Sequence, residues 1–413
     1  MHRVVITGYG AVTPLGNDVD TVWTNMKEMK TGIDRLTRYN PDSTETYVSG
    51  EVKDFDPTEY MERREYSRMD LFSQYAVAAA SQALAMSEYE INDETKENVG
   101  TIISTGIGGI IELEKGARRM IDRGARRMHP LLIPMIIGNM AAANVAINTG
   151  AEGASLDIVT ACASGTNALG EAFLKIKFGL LDAALAGGSE ASINELAMGG
   201  FSSLRATSPS KDPNTASRPF DKDRDGFVMS EGGAVLFIES LESAQARGAE
   251  IYGEIVGYGT NSDAFHMTAP KEDGSGAAKA MELAIEMAGI DKSEVDYINA
   301  HGTSTPINDR AETMSIKSVF GEDTKIPVSS SKGHLGHMTG AAGAMEAIIL
   351  AKALQEGYIP ATRGLENPDL EAGMDLDYVP HEGREADLKY AMSNSLGFGG
   401  HNASIIVKRW EGQ

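Results

Sequence analysis

The alternation of short β-rich runs with Ala-rich helical stretches constrains the fold of this 413-residue chain more than any other feature. Apolar runs of four to six residues indicate buried strands, and the longer Ala-rich segments have the length and period of helices. The predicted strands span 4–8, 99–104, 156–160, 183–187, 234–239, 297–300, 327–330 and 404–408. The predicted helices span 71–86, 165–178, 277–288, 309–320 and 343–355. This alternation predicts an α/β protein with mixed sheets covered by helices.

A weak internal repeat indicates that the chain consists of two related halves. The strand at 156–160 leads into a helix ending near Gly179, and the strand at 327–330 leads into a helix ending near Gly357. Each half also closes with a β-rich segment. A chance likeness between two βα units is the alternative explanation. The length suits two similar-sized halves, and we predict a duplicated α/β motif with halves at 1–250 and 251–413.

Charge and cysteine content exclude several classes of function. The net charge of -22 argues against nucleic-acid binding, which needs a basic surface. The single cysteine permits neither an intrachain disulfide nor a cysteine-based metal cluster, and it favours a reducing compartment. No apolar run approaches the roughly 18 residues of a membrane helix, and the first residues do not resemble a signal peptide. We therefore expect a cytoplasmic protein without a membrane or nucleic-acid partner.

The single cysteine, Cys162, is the first candidate for chemistry. It lies between a predicted strand and a predicted helix, among the small residues of the segment 159–165. A helix N-terminus stabilises negative charge and lowers the pKa of a thiol, which makes a better nucleophile. A small buried hydrophobe is the alternative role for a lone cysteine. The turn between strand and helix favours the nucleophile.

Two histidines follow predicted strand ends in Gly- and Thr-rich loops. His301 lies in the segment 299–306, and His337 lies at the corresponding place in the second repeat. A lone histidine is more often structural, but two of them beside a cysteine suggest catalysis. We expect His334 to be a surface residue. Lys332 and Glu346 bracket His337, and a surface salt bridge is the default expectation for each.

Three further segments suggest binding or movement. The segment 397–400, with Phe398 between glycines, can present backbone N–H groups and move, although a simple tight turn is the alternative. The Arg- and Met-rich segment 111–140 and the Pro-containing segment 205–227 interrupt the repeat. Long excursions of this kind often serve binding in compact enzymes.

Taken together, the segments 160–165, 301–306 and 336–343 resemble the β-ketoacyl-[acyl-carrier-protein] synthases of the thiolase superfamily. The resemblance extends over essentially the whole chain and implies a thiolase-like fold, in which a duplicated α/β motif forms a layered αβαβα arrangement. Elongating members use a Cys-His-His triad, which Cys162, His301 and His337 match in order and context. Initiating members have Asn in the last place, and thiolases have a second catalytic Cys that this chain lacks.

The resemblance also assigns roles to other residues. It makes Lys332 catalytic, with Glu346 and Phe398 in support, and it implies a homodimer that binds acyl carrier protein and needs neither a cofactor nor a metal. The implied substrate-binding residues are Thr303, Thr305, Ile107, Phe201 and Gly399. The implied carrier-docking residues are Arg64, Arg68, Arg126, Arg127 and Arg205.

The implied activity is decarboxylative condensation. An acyl chain on Cys162 would react with malonyl-carrier protein to give 3-oxoacyl-carrier protein and CO2 in fatty acid elongation. Chain length and the segment 105–109 look most like the synthase II branch. Other possibilities are a cysteine hydrolase, a stand-alone polyketide subunit, and a noncatalytic chain-length partner, although such partners lack the cysteine.

Overall fold

The computed structural model describes residues 1–412. The strands are β1 (Val4–Val12), β2 (Asp34–Arg35), β3 (Val48–Ser49), β4 (Val99–Ser104), β5 (Ser155–Leu156), β6 (Ala183–Glu190), β7 (Gly232–Ser240), β8 (Gly253–Ser262), β9 (Tyr297–Asn299), β10 (Val328–Ser329), β11 (Tyr358–Ile359), β12 (Arg384–Glu385), β13 (Tyr390–Gly397) and β14 (His401–Lys408). The helices are α1 (Val19–Lys27), α2 (Arg63–Tyr66), α3 (Leu71–Ser87), α4 (Ile110–Arg123), α5 (Leu132–Ile136), α6 (Met140–Thr149), α7 (Ser164–Lys177), α8 (Glu195–Ser203), α9 (Leu241–Arg247), α10 (Ser275–Ala288), α11 (Pro306–Phe320), α12 (Lys332–Leu335) and α13 (Ala342–Glu356).

The main sheet repeats the same topology in its two halves. Its strand order is β10-β9-β13-β14-β8-β1-β7-β6-β4-β5. Read outward from the β1–β8 pair, each half adds two antiparallel neighbours and then two parallel ones. The strands β5 and β10, which the sequence repeat matches, lie at the two ends of the sheet and so hold equivalent places. This symmetry supports our proposal of halves at 1–250 and 251–413.

The helices form layers around these strands. Helix α3 contacts strands β1, β6 and β7 of the first half, and α10 contacts strands β8 and β14 of the second half. Helices α7 and α13 pack against each other and contact strands from both halves, so they form the central layer. Ala, Ile and Leu side chains of α13 are buried along nearly its whole length, because it has protein on every side. The result is the layered α/β arrangement expected for a thiolase-like fold.

Two glycines let the central helices approach closely at their first turns. A Cβ on Gly343 would lie 2.0 Å from Oγ1 of Thr166, and a Cβ on Gly165 would lie 2.7 Å from the carbonyl oxygen of Gly340. A larger side chain at either position would therefore collide with the other helix or with the turn that precedes it. The approach places the N-terminal ends of α7 and α13, from different halves of the chain, beside each other.

The predicted strands and helices are found with small shifts at their ends, except at 156–160. There the strand β5 has only two residues, and the segment that follows it has no regular structure. The strand β5 lies at the end of the sheet and pairs only with β4, so its second edge has no partner. The apolar composition of this segment predicted burial, whereas Leu156 and Val159 are 39% and 58% exposed. Among residues 1–412, no helix is both long and apolar enough to span a membrane.

Candidate active site

A cavity of about 370 Å³ opens at the N-terminal ends of the central helices. Cys162, His301 and His337 line it, although the three residues lie far apart in the sequence. The cysteine Sγ and one ring nitrogen of each histidine lie within 4.8 Å of one another. The structure therefore brings together the three residues that the sequence motifs predict as a catalytic set.

Cys162 lies in a tight turn immediately before α7. The turn is a single 3₁₀ segment, Ala161–Ala163, and Ala161 has a φ of 52°, in the left-handed region. Strained backbone of this kind persists where its surroundings hold it. Here Oγ of Ser164 accepts from the N–H of Thr160 at 2.9 Å and donates to the carbonyl of Ala161 at 2.7 Å. The thiol is thereby fixed at the cavity wall.

The electrostatics of the thiol differ from the sequence expectation. Burial raises the pKa of Cys162 to about 11, and the positive charge of Lys332 opposes this shift. The expectation of a lowered pKa is therefore wrong for this structure, because desolvation outweighs the favourable charge of Lys332. The backbone N–H groups of Phe398 and Cys162 also oppose the shift, because they favour the thiolate form. Two N–H donors therefore converge on the reacting atom.

His337 is held as a hydrogen-bond donor. Its ring is buried, and Nδ1 accepts the backbone N–H of Thr339 at 3.2 Å. Burial, and secondly Lys332, lowers the pKa of His337 well below its usual value, so the ring is neutral near pH 7. A neutral imidazole that accepts at Nδ1 carries its proton on Nε2. His337 can therefore donate one hydrogen bond from Nε2.

His301 is also buried and neutral. Burial is the main cause that lowers the pKa of His301 well below its usual value, followed by Lys332 and His337. The two imidazole rings meet edge to face, with centroids 5.2 Å apart. Glu312 on α11 fixes the backbone of His301, because its carboxylate accepts the N–H groups of His301 and Gly302, each at 2.8 Å.

Lys332 and Glu346 form a buried ion pair rather than the expected surface salt bridge. Nζ of Lys332 lies 2.5 Å from Oε1 of Glu346, and both side chains are about 2% exposed. Burial raises the pKa of Glu346 to about 6, against the opposing effect of Lys332. The positive charge of Lys332 lowers the pKa of both histidines and favours the Cys162 thiolate. The pair therefore sets the electrostatic field of the whole cluster.

The loop with Phe398 forms one wall of the cavity. The ring of Phe398 faces that of Phe201, with centroids 6.4 Å apart. A Cβ on Gly397 would lie 2.4 Å from the carbonyl oxygen of Thr160, which explains a glycine at this close approach. Gly399 has a φ of 93°, and its N–H donates to the carbonyl of Met267 at 2.7 Å. The loop thus contacts both the nucleophile turn and the neighbouring loop.

The other predicted substrate-binding residues divide into two groups. Thr303 and Thr305 line the cavity, with their hydroxyl oxygens 3.0 Å apart, and Phe201 lines it as well. Ile107 lies in the loop after β4, outside the cavity lining, and is 39% exposed. Its part in binding an acyl chain remains a prediction.

The five predicted docking arginines all have exposed side chains. Arg126 and Arg127 lie in a short 3₁₀ segment after α4, and Arg64 lies in α2. Arg205 lines the mouth of the cavity and has a φ of 54°. Within residues 1–412, no ion pair engages any of the five. They are therefore available to an anionic partner.

The position of His334 differs from the surface position expected from the sequence. It is fully buried rather than on the surface, because its two ring nitrogens face the carbonyl oxygens of Lys30 and Ala361 at 2.8 and 3.1 Å. The sequence interpretation also missed Glu312 and Glu190. Glu190 could have been identified from the sequence, because an acidic residue at the end of an apolar strand is an unusual pattern.

The three clustered side chains could also approach a metal ion. A closed zinc site has four ligands and an ionised thiol, whereas burial here favours the neutral thiol. The arrangement suits covalent chemistry better. A nucleophile lies beside two neutral N–H donors and two backbone N–H donors, which can stabilise negative charge on an acyl oxygen.

Comparison with known proteins identifies the family of this chain. The family model for the β-ketoacyl synthase N-terminal domain matches residues 1–244, and that for the C-terminal domain matches residues 252–366. The 3-oxoacyl-[acyl-carrier-protein] synthase 2 of Staphylococcus aureus is 48% identical over 410 residues, which cover 99% of both proteins. The protein of that name from Synechocystis is 47% identical over 411 residues, 99% of this chain and 98% of the relative.

Solved structures agree with the sequence relatives. A β-ketoacyl synthase from Burkholderia phymatum superposes with a TM-score of 0.91 at 35% identity, covering all of both chains. A ketosynthase solved with its type II PKS acyl-carrier protein superposes with a TM-score of 0.90 at 34% identity, covering 99% of this chain and 100% of the other. The chain belongs to the β-ketoacyl synthase family.

Proposed function

We propose that this protein condenses an acyl chain held on Cys162 with malonyl-carrier protein, giving 3-oxoacyl-carrier protein and CO2 in fatty acid elongation. The observation that carries the proposal is the meeting of one thiol and two neutral imidazoles in a single cavity. The 3-oxoacyl-[acyl-carrier-protein] synthases 2 that match the chain over nearly its full length support this proposal.

The first half-reaction is acyl transfer. The sulfur of Cys162 attacks the thioester carbonyl, a new C–S bond forms, and the bond to the carrier sulfur breaks. The proton of Cys162 passes to the departing thiol, so charge is conserved overall. The backbone N–H groups of Cys162 and Phe398 stabilise the oxyanion, as they do the thiolate. A single donor of this kind is worth roughly 3–4 kcal/mol in measured oxyanion holes.

The second half-reaction uses the histidines. Malonyl-carrier protein loses CO2, and the electron pair of the broken C–C bond forms an enolate on the thioester. Nε2–H of His337 and an N–H of His301 donate to the enolate oxygen. The enolate carbon then attacks the acyl group on Cys162, and the released thiolate takes up a proton. A neutral imidazole keeps one ring N–H, so each histidine can donate one hydrogen bond to the enolate oxygen.

Lys332, Glu346 and Phe398 support these steps. Burial keeps the histidines neutral, and the positive charge of Lys332, paired with Glu346, adds to this effect and also favours the thiolate of Cys162. Phe398 gates the cavity, with its flanking glycines as hinges, so that the acyl and malonyl groups enter in order. Thr303, Thr305, Phe201 and Gly399 contact the carrier-bound substrate, and Ile107 contacts the acyl chain.

The partner is acyl carrier protein, which docks on Arg64, Arg68, Arg126, Arg127 and Arg205. The net charge of -22 prevents general attraction to an acidic partner, so a local basic surface must guide the encounter. The five arginines are exposed, and Arg205 lines the mouth of the cavity, so they can supply such a surface. A related ketosynthase has been solved in complex with its own carrier protein, which supports such docking.

We further propose a cytoplasmic homodimer. The strand β5 is an unpaired edge whose Leu156 is exposed, and it contacts α6, where Ile147 is 74% exposed. A second copy of the chain could pair with this edge across a two-fold axis and cover both side chains. A reducing cytoplasm agrees with a single cysteine that must stay free.

The histidine assignments predict a selective loss of decarboxylation. His301→Ala and His337→Ala should each slow CO2 release from malonyl-carrier protein about 10²–10³-fold, because the enolate loses a buried donor. The rate of acyl transfer to Cys162 should fall by a smaller factor. The exposed His2 lies outside the cavity, and His2→Ala serves as the matched control. Normal decarboxylation in either cavity variant would show that its histidine is misassigned.

The docking assignment predicts a carrier-specific defect. Reversing the charge with Arg126→Glu and Arg127→Glu together should raise the KM for acyl-carrier protein several-fold and leave activity on acyl-coenzyme A nearly unchanged. Added salt should weaken the wild-type carrier interaction in the same direction, since exposed charges are screened over about 10 Å at 0.1 M.

The control for this experiment reverses two exposed charges elsewhere. Arg35→Glu with Lys389→Glu changes the net charge by the same amount outside the proposed docking surface. If the Arg126 and Arg127 variant slows both substrates equally, or if the control raises the KM as much, the docking site lies elsewhere.

The dimer proposal predicts a mass near twice 44.0 kDa by light scattering at micromolar concentration. Leu156→Asp should shift the protein toward monomer, because it places a charge on the paired edge. Leu370→Asp changes an exposed leucine of a different region and should leave the mass unaltered. A wild-type protein that is monomeric under these conditions would refute the dimer.

A further inference from the structure

Glu190 is a buried carboxyl group at the end of β6 to which the proposed mechanism gives no part. It lies beside the reaction centre, since its negative charge is among the influences that raise the pKa of Cys162. A buried carboxylate this close to a nucleophilic thiol opposes thiolate formation. Glu190 should therefore have a role that outweighs its unfavourable effect on the thiolate of Cys162.

Three donors from two separate loops converge on this carboxyl group. Oε2 accepts the N–H of Gly106 at 2.8 Å and the N–H of Gly340 at 3.2 Å. Oε1 accepts the hydroxyl of Thr105 at 3.0 Å. Burial raises the pKa of Glu190, and these donors oppose that shift because they favour the ionised form. The carboxyl group thus ties the turn that follows His337 to the end of β4.

The turn that Glu190 holds also determines which ring nitrogen of His337 carries the proton. Thr339 has a φ of 42°, in the left-handed region, which is unfavourable for a β-branched residue. The N–H of this strained residue donates to Nδ1 of His337. The next N–H along the chain, that of Gly340, is the one that Glu190 accepts. Release of Gly340 would let Thr339 relax and withdraw its N–H from the histidine.

The same strand also confines the turn sterically. A Cβ on Gly188, two residues before Glu190, would lie 2.2 Å from the carbonyl oxygen of Gly340. The backbone of Gly188 therefore packs directly on this peptide, while Glu190 binds its N–H. A strained turn persists only where its surroundings fix it, and β6 supplies both contacts.

We propose that Glu190 is a positioning residue for His337: it holds the Thr339–Gly340 turn so that Nδ1 of His337 accepts and Nε2 donates to the malonyl-derived enolate. Glu190 does not touch the substrate in this account and acts only through the turn. The inference rests on the proposed function, because it concerns the half-reaction that His337 serves.

The test is Glu190→Gln, which keeps the size of the side chain but replaces one acceptor oxygen with an NH2 donor. Decarboxylation of malonyl-carrier protein should fall at least tenfold in kcat, with little change in the acyl loading of Cys162. The protein has eight histidines, so ¹⁵N-histidine NMR can follow the His337 tautomer, assigned with His337→Gln. We expect the Nδ1–H form of His337 to increase.

The matched control is Glu312→Gln, since the carboxylate of Glu312 accepts the N–H groups of His301 and Gly302 rather than that of Gly340. It should leave the His337 tautomer unchanged. If Glu190→Gln does not fold, Thr105→Ala removes one of its three donors, and Thr105→Ser restores the hydroxyl and should restore the rate.

An unchanged His337 tautomer with decarboxylation within twofold of wild type would overturn the positioning role. An equal shift of the His337 tautomer in Glu312→Gln would also overturn the positioning role. Either result leaves the proposed function intact if the wild-type enzyme condenses and His337→Ala does not decarboxylate. A wild-type enzyme that does not decarboxylate malonyl-carrier protein would, by contrast, refute the proposed function itself.

Discussion

The site depends on the close approach of α7 and α13 at Gly165 and Gly343. Each glycine packs against the backbone or a small side chain at the first turn of the other helix, where a Cβ would collide. The approach brings the turn of Cys162 next to the turn that follows His337, although these turns come from different halves of the chain. Strands from both halves of the main sheet pack against these helices, and the reaction centre forms where the two halves meet.

Burial at this junction then decides the protonation states. Desolvation alone would make the thiol unreactive, and it raises the pKa of Cys162 to about 11. The same desolvation keeps the histidines neutral, which is the form that an enolate needs as a donor. The buried Lys332–Glu346 pair compensates on the thiol side, because its cation favours the thiolate. One environment therefore serves a nucleophile and two hydrogen-bond donors.

The sequence predicts the fold class and the catalytic set because both depend on local patterns. Strand-end motifs identify Cys162, His301 and His337, and alternating elements indicate the α/β layers. The buried state of His334 and the ion pair of Lys332 with Glu346 depend on chain segments distant in sequence, so local patterns misplace them on the surface. Leu156 and Val159 in the apolar segment 156–160 are exposed, because the composition of a strand does not reveal that it lies at the end of the sheet.

Mass spectrometry of the loaded enzyme tests the central claim most directly. After incubation with acyl-carrier protein and proteolysis, we expect an added acyl mass on the peptide with Cys162 alone. Malonyl-carrier protein should then remove that mass and yield 3-oxoacyl-carrier protein with CO2. An acyl group on another residue, or its release as free acid without a condensation product, would contradict the account.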